Sequence, residues 1–266
     1  MPINCFKKIA VSLAMVTLLV SLGCREAPPS APAKKELLIY CGITMSHAIY
    51  DIAKRFEEKE DCIVKIIPGG SGSLYRSILI NQAGDLFLPG SAGYIIKGRR
   101  EKIIRSTVRV GSNQAALIVA KGNPRNISAN LRHLLRGDLD IVLGAADSGS
   151  IGKETKKILE QAGTYQTAID RTLFLTSDSK GLTEAIKTGK ADLTLNWLAT
   201  TYWQENSAEI DALRLPEALA PPHQLMLGLL KYARHEQLAK RFMSYASSDE
   251  GQEIFTSYGF AQQEGQ

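Results

Sequence analysis

Short apolar runs of strand length alternate with segments of helical periodicity along the chain from Glu36 onward. In 48–58, for example, apolar residues recur at three- and four-residue spacing, which places them on one face of a helix. Further helices are predicted at 74–82, near 153–161, and at 182–188 and 236–246. Predicted strands lie at 37–41, 63–67, 86–88, 115–120, 141–143, 173–175, 193–195 and 225–230. This alternation predicts an α/β fold built on parallel sheet.

Four of the predicted strand-to-helix junctions are rich in serine, threonine and glycine. They span 42–46, 68–73, 144–152 and 176–181. In open α/β sheets such junctions line the crevice beyond the carboxyl ends of the strands, and each helix start there offers unpaired N–H groups to an anion. Any one junction is equally explained by ordinary helix capping, because Ser, Thr and Asp are preferred N-caps and Gly suits turns. Four of them together favour an anion-binding cleft.

The N-terminal region has the pattern of an export signal. Lys7 and Lys8 precede an apolar stretch, 9–22, that is too short to span a bilayer but long enough for a signal-peptide core. The segment that ends at Cys24 resembles the lipobox of bacterial lipoproteins, so we expect a signal peptide at 1–23, lipidation of Cys24 and a Pro- and Ala-rich tether at 24–35. A plain secretory signal or a short anchor helix is the alternative. Either lipidation or secretion predicts an extracytoplasmic protein, and lipidation predicts one anchored to the membrane.

Composition and charge exclude several classes of protein. The net charge is +5 in 266 residues, and no basic run is longer than two, which argues against a nucleic-acid partner. Four cysteines are too few for a disulfide scaffold. Cys41 ends one predicted strand and Cys62 begins the next, so we expect two buried thiols that no disulfide joins. The four histidines lack metal-ligand spacing, and neither a metal nor a cofactor is expected.

Several segments together resemble a known family. Residues 41–57, 70–76, 84–88 and 248–260 are similar to the molybdate-binding proteins of ABC transporters, which have the type II periplasmic binding-protein fold. The resemblance covers 36–260. It implies an α/β fold with two lobes, a hinge and a ligand cleft.

The resemblance also implies lobe boundaries and site residues. The first lobe would comprise 36–112 and 231–266, and the second 113–230. In the family a tetrahedral dianion is held by uncharged groups. The corresponding residues here are the Thr44 and Ser71 hydroxyls, the backbone N–H groups of Ile151 and Ser179, and Trp197. The family usually has tyrosine at the last position, and an indole can donate a hydrogen bond but cannot accept one. An alternative role for Trp197 is packing beneath the cleft.

The function implied is that of a substrate-binding lipoprotein, not an enzyme. It would bind molybdate or tungstate and deliver the anion to an ABC permease, most simply as a monomer. A receptor for phosphate, phosphonate or another small anion is the alternative. A protonated anion would need a carboxylate to accept its hydrogen, and Asp147 and Asp178 are candidates, although both suit helix caps equally.

A hydrolase is a remote alternative. Ser150 and Lys153, then 177–179 and 187–189, follow the motif order of serine β-lactamases. The whole set lies too close together along the chain for that fold, and 187–189 ends a predicted helix where the enzyme motif requires a strand.

Overall fold

The computed structural model describes residues 34–261, and residues 35–261 form one compact unit. The predicted signal peptide, Cys24 and nearly all of the predicted tether lie outside the described residues, so these features stay predictions. Within the described range, no helix has both the length and the apolar character needed to cross a membrane.

The strands form two separate five-stranded sheets. The first has the order β2-β1-β3-β10-β4, in which β1 is parallel to β2 and β3, and β10 is antiparallel to β3 and β4. The second has the order β7-β6-β8-β5-β9, in which β6 is parallel to β7 and β8, and β5 is antiparallel to β8 and β9. The strands are β1 (Lys35–Gly42), β2 (Cys62–Gly69), β3 (Leu86–Leu88), β4 (Ile104–Asn113), β5 (Ala115–Ala120), β6 (Ile141–Gly144), β7 (Thr172–Thr176), β8 (Leu193–Trp197), β9 (Ile210–Arg214) and β10 (His223–Leu230). Both sheets are therefore mixed, and the prediction of parallel sheet is wrong for β5 and β10.

Helices cover both sheets. In β1, alternate residues face different sides: Ile39 and Cys41 join one hydrophobic core and Tyr40 joins another, as the two-residue period of a strand requires. A third core belongs to the second sheet. The helices are α1 (Ser46–Lys59), α2 (Ser71–Asn81), α3 (Ala92–Arg100), α4 (Ser150–Gln161), α5 (Tyr165–Arg171), α6 (Ser179–Lys187), α7 (Glu236–Ala246) and α8 (Asp249–Ser257). Short 3₁₀ turns occupy Ile43–Met45, Leu131–Leu135 and Leu198–Tyr202.

The chain crosses between the sheets at two places, and the second is not where the sequence resemblance put it. One crossing is at Gln114, between β4 and β5. The other is 215–222, because β10 pairs with β3 and β4 of the first sheet, so the expected boundary at 230 is wrong. The Gln114 side-chain amide joins the crossings by donating to the carbonyls of Ala220 (2.7 Å) and Leu215 (3.3 Å). We call the elements built on the first sheet the first lobe and those on the second sheet the second lobe.

The cysteine prediction is confirmed. In the β1–β2 register Cys62 lies opposite Lys35, whereas Cys41 lies opposite Pro68 near the other end of the pair. Both residues are buried, and no disulfide joins them. Burial raises the pKa of the Cys41 thiol far above its ordinary value.

Candidate ligand-binding site

The four Ser/Thr/Gly junctions of the sequence meet at one cavity between the lobes. Its lining consists of residues 42–44 and 69–71 from the first lobe, 149–151 and 178–179 from the second, and Gly90 after β3. The convergence follows from the topology, because β1, β2, β6 and β7 all direct their carboxyl ends toward this cleft. Thr44, Ser71, Ile151 and Ser179, four of the five expected contact residues, are among the lining residues.

The lobes touch each other around this cavity. The Thr44 and Ser179 hydroxyl oxygens are 3.1 Å apart, and the Gly72 N–H donates to the Ser148 carbonyl at 3.0 Å. The cavity volume is about 10 Å³, which is roughly the space that one water needs. A larger ligand therefore requires the hydroxyls of Thr44 and Ser179 to separate.

Two helices begin at the cavity without a side-chain cap. Gly70 precedes α2 and Gly149 precedes α4, and neither can supply an acceptor for the first N–H groups. These groups carry the positive end of the helix dipole. At α6, in contrast, the Asp178 carboxylate accepts from the N–H groups of Lys180 (3.0 Å) and Gly181 (3.1 Å). Asp178 thus acts as a helix cap, which is one of the two roles considered for it.

Two lining hydroxyls, one in each lobe, accept hydrogen bonds from groups that can only donate. The Gly90 N–H donates to Ser71 Oγ at 3.0 Å, and the Trp197 indole N–H donates to Ser150 Oγ at 3.3 Å. A hydroxyl has one proton to donate and two lone pairs. Because one lone pair of each oxygen is engaged, Ser71 and Ser150 each keep one O–H proton to donate and one lone pair. The pair can therefore donate to a ligand that accepts hydrogen bonds.

Trp197 stands behind the cavity wall instead of on it. Its side chain is fully buried and packs edge-on against the His223 ring. It is linked to the site through Ser150 and does not itself line the cavity, an arrangement that agrees with the alternative of packing beneath the cleft. Its neighbour Asn196 is also fully buried, and the Asn196 side-chain amide donates to the Ser179 carbonyl at 2.9 Å. Asn196 therefore holds the start of α6 and does not face the cavity.

The cavity carries little charge. Asp178 is the one ionisable residue in its lining, and no lysine or arginine lines it among the residues described. Asp147 does not line it, and its backbone carbonyl accepts from Arg76 at 3.1 Å. The nearby Lys153 ammonium lies 4.2 Å from the centre of the Tyr94 ring. Burial, and then the charge of Lys97, lower the Lys153 pKa.

Sequence reasoning did not identify Gly90 and Ser150 as site residues. In the sequence Pro89 and Gly90 only follow the predicted strand at 86–88, and Ser150 is only a member of a junction and of the hydrolase motif. That motif is not assembled here, since Lys187 ends α6 and Gly189 lies in a turn with φ of +66°. Within the described range no three potential metal-ligating side chains form a group.

Comparisons with known proteins agree with this architecture. YvgL of Bacillus subtilis, assigned as an ABC transporter substrate-binding lipoprotein, is 26% identical over 265 residues, covering 96% of this chain and 98% of YvgL. The solved periplasmic molybdate-binding protein of Azotobacter vinelandii is 15% identical, with a TM-score of 0.74 over 86% of this chain and 100% of that one. The sulfate-binding protein SubI of Mycobacterium tuberculosis is 14% identical, with a TM-score of 0.73 over 85% and 86% of the two chains. At these identities the two structural matches show the two-lobed fold alone.

A family model identifies the class of protein. The model for bacterial extracellular solute-binding proteins matches residues 37–261, which is nearly all of the described chain. The relatives it groups are binding proteins and not enzymes, and both the model and YvgL point to an extracytoplasmic location. This chain belongs to the bacterial extracellular solute-binding proteins.

Proposed function

We propose that this protein captures a fully deprotonated tetrahedral oxyanion, molybdate or tungstate, and presents it to an ABC permease. The observation that carries the proposal is the paired arrangement of Ser71 and Ser150, each of which accepts from a group that can only donate and keeps its own O–H proton for a ligand. The start of α4, which has no side-chain cap, adds backbone N–H groups, and α2 adds that of Ser71, since the Gly72 and Ser73 N–H groups donate to the Ser148 carbonyl. A site made of donors from both lobes suits an anion whose oxygens all accept.

Neutral donors suit the binding of a dianion from water. The ligand loses its hydration, and the fixed dipoles of N–H and O–H groups replace it without a positively charged side chain in the cavity. Ligand contacts from both lobes favour the closed arrangement by an amount equal to the difference in ligand-binding free energy between the closed and the open arrangement. We therefore expect Thr44 and Ser179, which touch each other across the cleft, to separate and each contact the bound anion.

Phosphate or a phosphonate is the second candidate, and one observation favours it. Asp178 lines the cavity and could accept the proton of a hydrogen phosphate. Its Oδ1 already accepts two N–H groups at the start of α6, and its Oδ2 lies 3.3 Å from the Ser177 hydroxyl. Because the carboxylate is engaged in capping, the deprotonated oxyanion is preferred. Sulfate is also fully deprotonated, so the donor arrangement alone does not separate it from molybdate.

A thermal-shift series tests this proposal. The compact unit from Lys35 onward would be heated with molybdate, tungstate, sulfate, phosphate or methylphosphonate. A ligand at 100 times its Kd adds about 2.7 kcal/mol to the free energy of unfolding by mass action. We expect the largest rise in melting temperature with molybdate and tungstate. A larger rise with phosphate would favour the second candidate, and no rise with any of the five would contradict an oxyanion receptor.

We also propose that export and anchoring follow from the N-terminal signal, with cleavage after Gly23 and lipid on Cys24, and that the mature protein is a monomer. Replacing Cys24 with alanine should release the protein from the membrane fraction of the cell that makes it. Retention of the Cys24→Ala variant in that fraction would contradict the lipid anchor.

A further inference from the structure

The turn that follows β6 contacts the start of α2 across the cleft. The Ser148 carbonyl accepts from the N–H groups of Gly72 (3.0 Å) and Ser73 (3.3 Å). The Arg76 guanidinium, one turn further along the same helix, donates to the Asp147 carbonyl at 3.1 Å. Gly72 and Ser73 are among the first helical residues, whose N–H groups have no partner within their own helix. One carbonyl of the second lobe, that of Ser148, therefore caps a helix of the first, and the Asp147 carbonyl binds a side chain of the same helix.

The two glycines at this helix start have no local reason to be glycine. Gly70 has φ of −67°, which any residue can adopt, and neither Gly70 nor Gly72 has the positive φ that favours glycine. Glycine inside a helix is also less favourable than alanine. The requirement must come from what surrounds these residues.

What surrounds them is the backbone of the second lobe. A Cβ atom on Gly72 would lie 2.6 Å from the Asp147 carbonyl oxygen and 2.9 Å from that of Ser148, and also 2.8 Å from the Tyr94 hydroxyl oxygen at the end of a side chain of the first lobe. A Cβ atom on Gly70 would lie 2.7 Å from the Ser148 carbonyl oxygen and 2.8 Å from that of Ser177. Backbone carbonyls within a turn cannot rotate aside as a side chain can. A methyl group at either position would therefore hold the lobes apart.

We propose that Asp147 and Ser148, here called the latch turn, hold the two lobes closed, and that Gly70 and Gly72 are glycine because the latch turn must reach α2. The proposal rests on the solute-receptor function but not on which solute is bound. Closure then gains hydrogen bonds within the protein, while Ser71 and the other lining residues supply the contacts that depend on the ligand.

The test compares two alanine substitutions at the starts of neighbouring helices. In Gly72→Ala the new methyl group meets the latch turn, whereas in Gly93→Ala, in the first turn of α3, the nearest atom is the Ser91 hydroxyl oxygen at 3.8 Å. Amide hydrogen exchange of the 71–76 segment, without added oxyanion and corrected for intrinsic rates, reports the latch bonds. We expect exchange in this segment to be at least about tenfold faster in Gly72→Ala and unchanged in Gly93→Ala. Equal exchange in the two variants would overturn the proposal.

Affinity for molybdate is the second readout. We expect Gly72→Ala to raise the Kd at least about tenfold and Gly93→Ala to leave it unchanged. If the wild-type protein does not bind molybdate, the proposed ligand is wrong, and the exchange comparison still decides whether the latch exists. Should Gly72→Ala fail to fold, the exposed Arg76→Ala removes one latch contact without touching a core. Wild-type exchange at 71–76 in Arg76→Ala would then overturn the proposal, and faster exchange would support it.

Discussion

Two of the helices that begin at the cleft, α2 and α4, differ from a helix that begins elsewhere in how their first N–H groups are satisfied, whereas α6 has a side-chain cap from Asp178. At the cleft, α2 and α4 follow glycine, have no side-chain cap and have no acidic residue in the first turn. At the far end of the chain, α8 follows Ser248, whose hydroxyl accepts from the Gly251 N–H, and two acidic residues occupy its first turn. At the α8 start, local side chains thus provide both a hydrogen-bond acceptor and negative charge for the first N–H groups. The cleft starts leave donors for a partner outside the helix.

This difference suggests how a ligand site can be recognised in a sequence. Serine next to a helix start usually indicates an N-cap, and that is the role of Ser248. Ser71 and Ser150 come one position later, after glycine, so their hydroxyls lie within the first turn and face the cavity. The position of the hydroxyl relative to the helix start, and not its presence, distinguishes the two functions.

The largest expected effect comes from placing a charge at a cleft start. Ser71→Asp puts a carboxylate where the anion is proposed to bind, and two like charges about 4 Å apart repel by about 4 kcal/mol at an intermediate dielectric. Calorimetry should find molybdate affinity reduced more than about 100-fold. Thermal stability should also fall, because Ser71 is buried and the cost of burying a larger, charged side chain exceeds the gain from an acidic residue in the first turn. Ser71→Asn is the control of similar shape, and an equal loss in both variants would show that size, not charge, is responsible.

Removing the same hydroxyl should have a smaller effect on binding. Ser71→Ala loses donation to a charged ligand, which is worth about 1 to 3 kcal/mol, or about 5- to 150-fold in Kd. The Gly90 N–H loses its acceptor as well, so a modest fall in melting temperature is expected. An unchanged Kd would show that Ser71 does not contact the ligand.

Trp197→Phe should affect selectivity more than affinity. The change keeps an aromatic ring but removes the indole N–H that donates to Ser150. Both lone pairs of the Ser150 hydroxyl can then accept, instead of one. We expect molybdate affinity to fall by about 1 kcal/mol and the ratio of phosphate to molybdate affinity to rise. A parallel fall for both anions would indicate that the ring acts through packing alone.

The α8 start should respond in the opposite way to the cleft starts. Ser248→Ala removes its cap and should lower the free energy of unfolding by about 1 kcal/mol, which denaturant titration can measure. Molybdate affinity should stay at the wild-type value, because Ser248 does not line the cavity. A weaker affinity in this variant would contradict the separation between the two kinds of helix start.

The smallest expected effect concerns acid stability at α8. Hydrogen bonds from Lys59 and then Tyr245 lower the Glu250 pKa to about 2. Because the pKa of Glu250 is lower in the folded state than in the unfolded state, the ionised carboxylate stabilises the fold. This contribution is complete above the ordinary carboxyl pKa and is lost as the pH falls toward 2. Glu250→Gln should therefore lose less stability than the wild type between about pH 5 and about pH 2. Chemical denaturation at a series of pH values would measure the free energy of unfolding of both proteins. An equal decrease with falling pH in the variant and the wild type would contradict the prediction.

Much of the fold was predictable because the order of apolar and polar residues within each segment indicates a helix or a strand. The helix at 48–58 and the strands at 37–41 and 141–143 are uniformly periodic or apolar, and the structure contains them. β4 escaped prediction because it includes polar and basic residues and most of its first half is only partly buried. The pairing of β10 with the first sheet depends on tertiary contacts that no local pattern records.

The candidate site likewise has features that the sequence predicts and features that only the tertiary structure reveals. Convergence of the junctions follows from parallel strands whose carboxyl ends share one edge, so Thr44, Ser71 and Ser179 could be proposed from the sequence. The indirect role of Trp197 could not, because it depends on the distance between an indole nitrogen and a hydroxyl that are far apart in the chain. The Gly90 N–H carries no side-chain signal at all.

The return of β10 to the first sheet affects the order in which the protein can fold. The second lobe is one continuous stretch of chain, from β5 to β9, and all its strands are available once that stretch has been synthesised. The first sheet depends on a later part of the chain. Because β10 lies between β3 and β4 and pairs with both, this sheet is incomplete until β10 has been synthesised. During biosynthesis the second lobe should therefore acquire its structure first, and the nascent first lobe is the part whose exposed strand edges need protection from aggregation.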